Sequence, residues 1–166
     1  CAMQGLLRNP LADGSTLGVS SGASLGAALA ILSGVSIPFL PFGGTAGAAM
    51  LSAFLSLVVL LALAFALDHS LATNTLILLG VVFSMFVSAL LSLLITFSGD
   101  KLRAITFWTM GNLSSASYQN ALTLLATLVL CGGIILTQAR ALNAMSMGEE
   151  YALHVGVSVR LSLIHI

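Results

Sequence analysis

"TAGAAMLSAFLSLVVLLALAFAL" (45–67) runs from Thr45 to Leu67 without one ionisable side chain. A helix that crosses about 30 Å of hydrocarbon needs around 20 mostly apolar residues at about 1.5 Å rise each. This stretch meets that requirement alone, and it sets the reading of its neighbours. Three further stretches follow the same rule: 17–34, rich in Gly, Ala and Ser, then 74–97 and 118–138. None holds Asp, Glu, Lys, Arg or His. The chain reads as an all-α polytopic transmembrane helix bundle, because backbone exposed to lipid must satisfy its own hydrogen bonds. The alternation of a membrane barrel is absent.

Composition agrees. The 166 residues are 58 % hydrophobic and 6 % charged, with a mean hydropathy of +1.12. Soluble domains are about 25 % charged, and five basic with five acidic side chains cannot cover a water-facing surface. Zero net charge gives no sign of a nucleic-acid partner. Cys1 and Cys131 lie far apart in apolar surroundings, which argues against a disulfide framework or a metal pair.

The breaks between spans carry turn chemistry. "SGVSIPFLPFGG" (33–44) holds two prolines and three glycines, which stop one helix and delay the next. "DHSLATN" (68–74) is a short polar loop with Thr73 or Asn74 available as an N-cap. Within 98–117, residues 101–110 form a short interfacial helix with Trp108 at headgroup depth. "CAMQGLLRNP" (1–10) reads as the end of an earlier helix, stopped at Asn9-Pro10. The apolar tail 161–166 is expected to be foreign to the native sequence, and the chain to be part of a longer protein. Alternating spans put Arg8, Arg140 and Arg160 on one side, and Lys101 and Arg103 on the other. Three against two is a weak vote for the first side being cytoplasmic.

Gly18, Gly22 and Gly26 recur at intervals of four, a ladder that lets helix backbones approach closely; contact with a transported solute is the less favoured reading. Ser84, Ser88, Ser92 and Thr96 also recur at intervals of four and share one helix face. They either bond back to the carbonyls four residues earlier or line a translocation path. No nucleophile–base or metal-ligand constellation surrounds His69, His154 or His165, and the single lysine lies in no phosphate-binding loop. The chain is expected to be no enzyme, with no cofactor and no metal.

Four segments carry a resemblance. "MQGLLRNPLADGSTLGVSSGASLGAALAI" (3–31), with Asn9, Pro10, Leu11, Ala12, Gly18, Ser20 and Gly22, is followed by "LILLGVVFSMFVSALLSLL" (76–94). "FWTMGNLSSASY" (107–118) and "LNAMSMGEEYALHVGVSVR" (142–160) come next. In this order they resemble the FecCD-type permeases, the membrane subunits of ABC importers for iron-siderophores, haem and cobalamin. Met145 and Met147 depart from the family's leucines, as does His154 before Val155-Gly156.

The resemblance implies a partial permease over 1–160: the end of helix 2, helices 3 to 6, and a cytoplasmic coupling loop at 141–160. It implies a cytoplasmic ABC ATPase dimer, a second permease subunit, an extracytoplasmic substrate-binding protein and the inner-membrane bilayer as partners. ATP hydrolysis then belongs to the partner. In the loop, Ser146 stands at capping-box spacing from Glu149, and Glu149 with Glu150 matches the helix dipole. Met147, Tyr151 and Val155 form an apolar edge, and Gly156 stops the helix. The expected ATPase-contact set is Met147, Gly148, Glu149, Tyr151 and Ala152, in a loop that also includes Asn143, Ser146, Glu150 and Gly156. Ser84, Ser88, Ser92 and Thr96 become the pathway wall, and Asp100, Lys101 and Arg103 face the binding protein or form an ordinary interfacial cluster. The competing readings are an ATPase-independent secondary transporter or channel, and a membrane scaffold subunit.

Overall fold

A computed structural model describes residues 2–10, 12–34, 43–68, 73–111 and 117–157. Leu11, the Pro/Gly break at 35–42, residues 69–72, residues 112–116 and everything from 158 onward, Arg160 and the tail included, lie outside the described residues. Eight helices are described: α1 (Ala2–Leu6), α2 (Val19–Ser33), α3 (Gly43–Leu67), α4 (Thr73–Thr96), α5 (Leu102–Met110), α6 (Tyr118–Thr137), α7 (Ala139–Met147) and α8 (Glu149–His154). A single 3₁₀ turn, Gly99–Lys101, leads into α5.

Among the described residues, three helices are long and apolar enough to cross a membrane: Gly44–Leu67, Thr73–Thr96 and Asn120–Thr137. The fourth expected span is shorter. α2 has 15 residues and reaches about 22 Å. It sits among α3, α4 and α5 and buries Gly22, Gly26, Ala27, Ala28 and Ala30. One face of α2 is thus covered by protein, while Leu29 on another stays 49 % exposed.

The glycine ladder explains this enclosure. A Cβ on Gly26 would lie 2.7 Å from the Ala48 carbonyl oxygen, and one on Gly22 would lie 2.6 Å from Ser56 Cβ. The α2 and α3 backbones therefore touch where those side chains are missing. Buried Ser56 reinforces the seam, donating to the Ala53 carbonyl at 2.8 Å and reaching the Gly18 carbonyl at 3.3 Å. Gly22 and Gly26 face α3, whereas Gly18 faces Phe83 and Ser84 of α4. Away from the seam, Phe54, Leu78, Phe86 and Leu124 are each more than half exposed.

α1 ends at Leu6, earlier than Asn9-Pro10. Arg8 adopts φ 47°, and the Asn9 amide closes the helix on the Gln4 carbonyl at 3.1 Å. Pro10 forbids continuation, and its carbonyl accepts from Gln4 Nε2 at 2.8 Å. Ala12 is buried, Asn9 half-buried, and Ser20 exposed on α2.

Candidate functional site

One end of the bundle holds the expected coupling loop. The ends of α1 and α3, the start of α4 and the α7–α8 loop meet in a cluster of Leu6, Ala64, Leu76, Met145 and Ala152. Met145 is 2 % exposed and Ala152 fully buried. The loop is thus bolted to the bundle by one face, and its other face looks outward.

The outward face carries the apolar edge. Met147 is 72 % exposed, Tyr151 50 % and Val155 53 %. With Asn143, Ala144 and Ser146 they line an open groove of about 480 Å³. The edge is built across two helices. α7 continues through Ser146 to Met147, and α8 starts at Glu149 after Gly148 at φ 132°.

That break removes the expected capping box. Ser146 lies inside α7, its Oγ donating to the Asn143 carbonyl at 2.7 Å, and it falls two residues before the N-cap position of α8. Gly148 stands at the N-cap of α8, without a side-chain hydrogen bond. Glu150 lies in the first turn of α8, where negative charge suits the helix dipole. The other end follows expectation. Gly156 has φ 81°, its amide bonds the Leu153 carbonyl at 3.1 Å, and the Val157 amide bonds the Ala152 carbonyl at 2.9 Å. This paired closure needs a left-handed residue, which glycine supplies without strain. Ala152 departs from the expected contact set: fully enclosed by the chain itself, it holds the loop and presents no surface.

The hydroxyl face of α4 divides. Ser92 Oγ donates to the Ser88 carbonyl at 3.0 Å and Thr96 Oγ1 to the Ser92 carbonyl at 2.9 Å, the back-bonded arrangement. Ser84 instead donates across the fold to the Ser15 carbonyl at 2.7 Å. Ser84 and Ser88, with Asp13, Ser15, Thr16, Ser21, Val81 and Met85, line an open cleft of about 530 Å³.

Asp13 organises the cleft rim, a role the sequence reading missed although "DGST" (13–16) is an Asp-led turn pattern. Its Oδ1 accepts the Ser15 amide at 2.8 Å, the Thr16 amide at 3.1 Å and both hydroxyls. The Ser15 hydroxyl and amide, then the Thr16 donors, hold the Asp13 carboxyl below its ordinary range.

At the opposite end, Asp100, Lys101 and Arg103 are exposed. Lys101 is already engaged: Nζ donates to the Ile31 carbonyl at 3.0 Å and the Leu32 carbonyl at 2.8 Å. It caps the C-terminal end of α2, where a cation also suits the dipole. Among the described residues, no three His, Cys, Asp or Glu side chains gather in a metal-holding group.

The family model described as the FecCD transport family matches residues 1–166. The chain belongs to that family. It is 36 % identical over 159 residues to YvrB, an uncharacterized ABC transporter permease protein of Bacillus subtilis (strain 168), covering 96 % of this chain and 45 % of that protein. It is 35 % identical over 157 residues to the cobalamin import system permease protein BtuC of Halobacterium salinarum, covering 95 % and 41 %. The hemin transport system permease protein HmuU of Yersinia pestis is 36 % identical over 162 residues, covering 95 % and 47 %. A solved inward-facing ABC transporter, classed as metal-chelate type, superposes with a TM-score of 0.84 at 32 % identity, covering 99 % of this chain and 51 % of that one. This FecCD-family chain thus spans about half the length of the relatives it matches. It is a multi-pass membrane protein of a transport family.

Proposed function

We propose that the chain forms part of the translocation pathway of a binding-protein-dependent ABC importer in the cell inner membrane, and that α7–α8 is its seat for a cytoplasmic ATPase. The cargo class is a metal chelate or corrin-like vitamin, as in the relatives named for hemin and cobalamin. A second permease subunit completes the pathway, and an extracytoplasmic binding protein meets the face that bears Asp100 and Arg103.

One observation carries the reading. The α7–α8 loop is fixed by buried Met145 and Ala152, yet leaves Met147, Tyr151 and Val155 exposed together. An apolar edge that leaves the bilayer region and stays rigid suits a soluble partner, because little ordering entropy is lost when it docks. Chemistry is supplied by the ATPase; this chain converts its closure into movement. The hydroxyls of α4 offer a mildly polar wall without charge, which suits passage of a bulky chelate without tight capture.

The test is Glu149→Arg with Glu150→Arg, and separately Tyr151→Ala, in the complete protein. Loss of an interfacial tyrosine costs about 1–2 kcal/mol, so ATPase co-purification and ATP-driven uptake should fall roughly tenfold. Unchanged co-purification and uptake in all variants would remove the docking claim.

A further inference from the structure

Two serines pin the segment before α2, and they sit at matching heights on two spanning helices. Ser84 Oγ donates to the Ser15 carbonyl at 2.7 Å, and Ser56 Oγ reaches the Gly18 carbonyl at 3.3 Å. Ser56 lies eleven residues before the end of α3 at Leu67, and Ser84 lies eleven residues after the start of α4 at Thr73. Eleven residues of helix rise about 16 Å, half of a hydrocarbon core of about 30 Å. Two helices therefore independently put the non-helical segment 13–18 near the middle of the membrane. α2 begins at that depth, after Gly18 at φ 73°, and its 15 residues suffice for the remaining half.

Asp13 belongs to this segment. Among the described residues lining the open cleft of about 530 Å³ it is the single ionisable one, set among the hydroxyls of Ser15, Thr16, Ser21, Ser84 and Ser88. The α4 wall of the cleft runs from Val81 to Ser88, the middle third of that helix. Asp13, Gly14 and Ser15 are exposed. Irregular backbone at membrane depth persists only under protein or against water, and an ionisable side chain there faces a bundle interior or a water-filled cavity. The hydrogen bonds to Asp13 Oδ1 all come from Ser15 and Thr16 of its own turn, and they leave its negative charge unpaired by any described cation of the cleft.

We propose that the cleft holds water to the middle of the membrane and that Asp13 is its charge filter, a specificity-determining residue that favours cargo with a cationic or neutral surface and turns away small free oxyanions. The proposal rests on the reading of this cleft as pathway wall and narrows the cargo class given there. α4 itself brings no charge to the wall; the turn that enters between α3 and α4 does. Between low-dielectric walls, clefts of one sign of charge raise the local concentration of counter-ions by about tenfold or more.

The labelling experiment needs neither cargo nor ATPase. The complete protein, with its cysteines replaced by Ser and Ser88→Cys introduced, is placed in lipid nanodiscs open on both faces. It is reacted with two membrane-impermeant methanethiosulfonates of similar size, one ending in trimethylammonium and the other in sulfonate. Each rate is divided by the rate of the same reagent with a free thiol in solution. The expected result is reaction with both reagents and a preference for the cation of about tenfold. Asp13→Asn, which keeps an oxygen for the donors of the turn, brings the preference close to one, and Asp13→Glu retains most of it. Raising the salt from about 0.05 M to about 0.5 M shrinks the preference while Asp13 is in place, an arm that stands where Asp13→Asn does not assemble. Absence of reaction at position 88 overturns the water-filled cleft. A preference that is missing, that survives Asp13→Asn or that ignores salt overturns the filter. The pathway reading survives each of these results. Uptake of cargo that persists after complete labelling at position 88 overturns the pathway reading instead, and with it the bearing of Asp13 on cargo.

Discussion

Gly22→Ala is the substitution whose effect can be worked furthest from the α2–α3 seam. The added Cβ would lie 2.6 Å from Ser56 Cβ and 3.2 Å from the Ser52 carbonyl oxygen, and closer still to Ser56 Oγ. Carbon atoms prefer about 3.5–4.0 Å, so the helices must part by about 1 Å locally. Overpacking of this kind costs about 1–3 kcal/mol. Parting also stretches the Ser56–Gly18 hydrogen bond, already 3.3 Å. In the complete protein, about twice this length, a central figure of about 2 kcal/mol lowers the midpoint by about 2–4 °C, because the shift per kcal/mol falls as the chain lengthens. The assay is thermal unfolding of the complete protein in lipid nanodiscs. Ser56→Gly removes the nearest obstacles, and its own helix cost is about 1 kcal/mol. The double variant should then lose at least about 1 kcal/mol less than the sum of the two single losses. At Gly26 the obstacle includes the Ala48 carbonyl, which no side-chain change removes, so Ser52→Gly should rescue Gly26→Ala much less. A neutral Gly22→Ala, or equal rescue at both positions, would refute the close-approach reasoning.

Ser84→Ala loses a bond between separate elements and should cost about 1 kcal/mol in the same unfolding assay. Ser92→Ala gives up a bond within its own helix and should stay within about 0.5 kcal/mol. Lys101→Met uncovers the Ile31 and Leu32 carbonyls; with the amine exposed, the loss should be about 1 kcal/mol or less. Lys101→Arg should recover part of it if capping is the cause. Asp13 has a lowered carboxyl pKa in the folded turn. It therefore contributes stability that is complete well above its ordinary 3.8 and is lost as pH falls through the lowered folded value. Hydrogen exchange over residues 13–17 should lose protection in that acidic window, and Asp13→Asn should remove the dependence.

The spans were legible because a charge-free run of about 20 residues has few alternatives in a chain this apolar. The stretches 45–67, 74–97 and 118–138 became helices Gly43–Leu67, Thr73–Thr96 and Tyr118–Thr137, within the usual fraying of helix ends. Gly156 was legible as a stop because its role is local. Ser146 was misread because the helix boundary falls later than its spacing from Glu149 suggests. α7 runs on to Met147, and the N-cap position of α8 goes to Gly148. Pairings across the fold were not legible. Lys101 reaches carbonyls about seventy residues earlier, and nothing near Leu76 announces that it will share a buried cluster with Met145. Ala152 looked like contact surface because an alanine's exposure depends on neighbours contributed by α1, α3 and α4.

The central claim is that the exposed edge of α7–α8 seats an ATPase. A photo-crosslinking residue placed at Tyr151 tests it most directly, with a second at Phe107, also exposed, on the α5 end of the bundle. Illumination of the assembled complex in membranes should join position 151 to the ATPase and leave position 107 unjoined to it. Crosslinking of the ATPase at 107, or its absence at 151 in a complex that still hydrolyses ATP, would contradict the account.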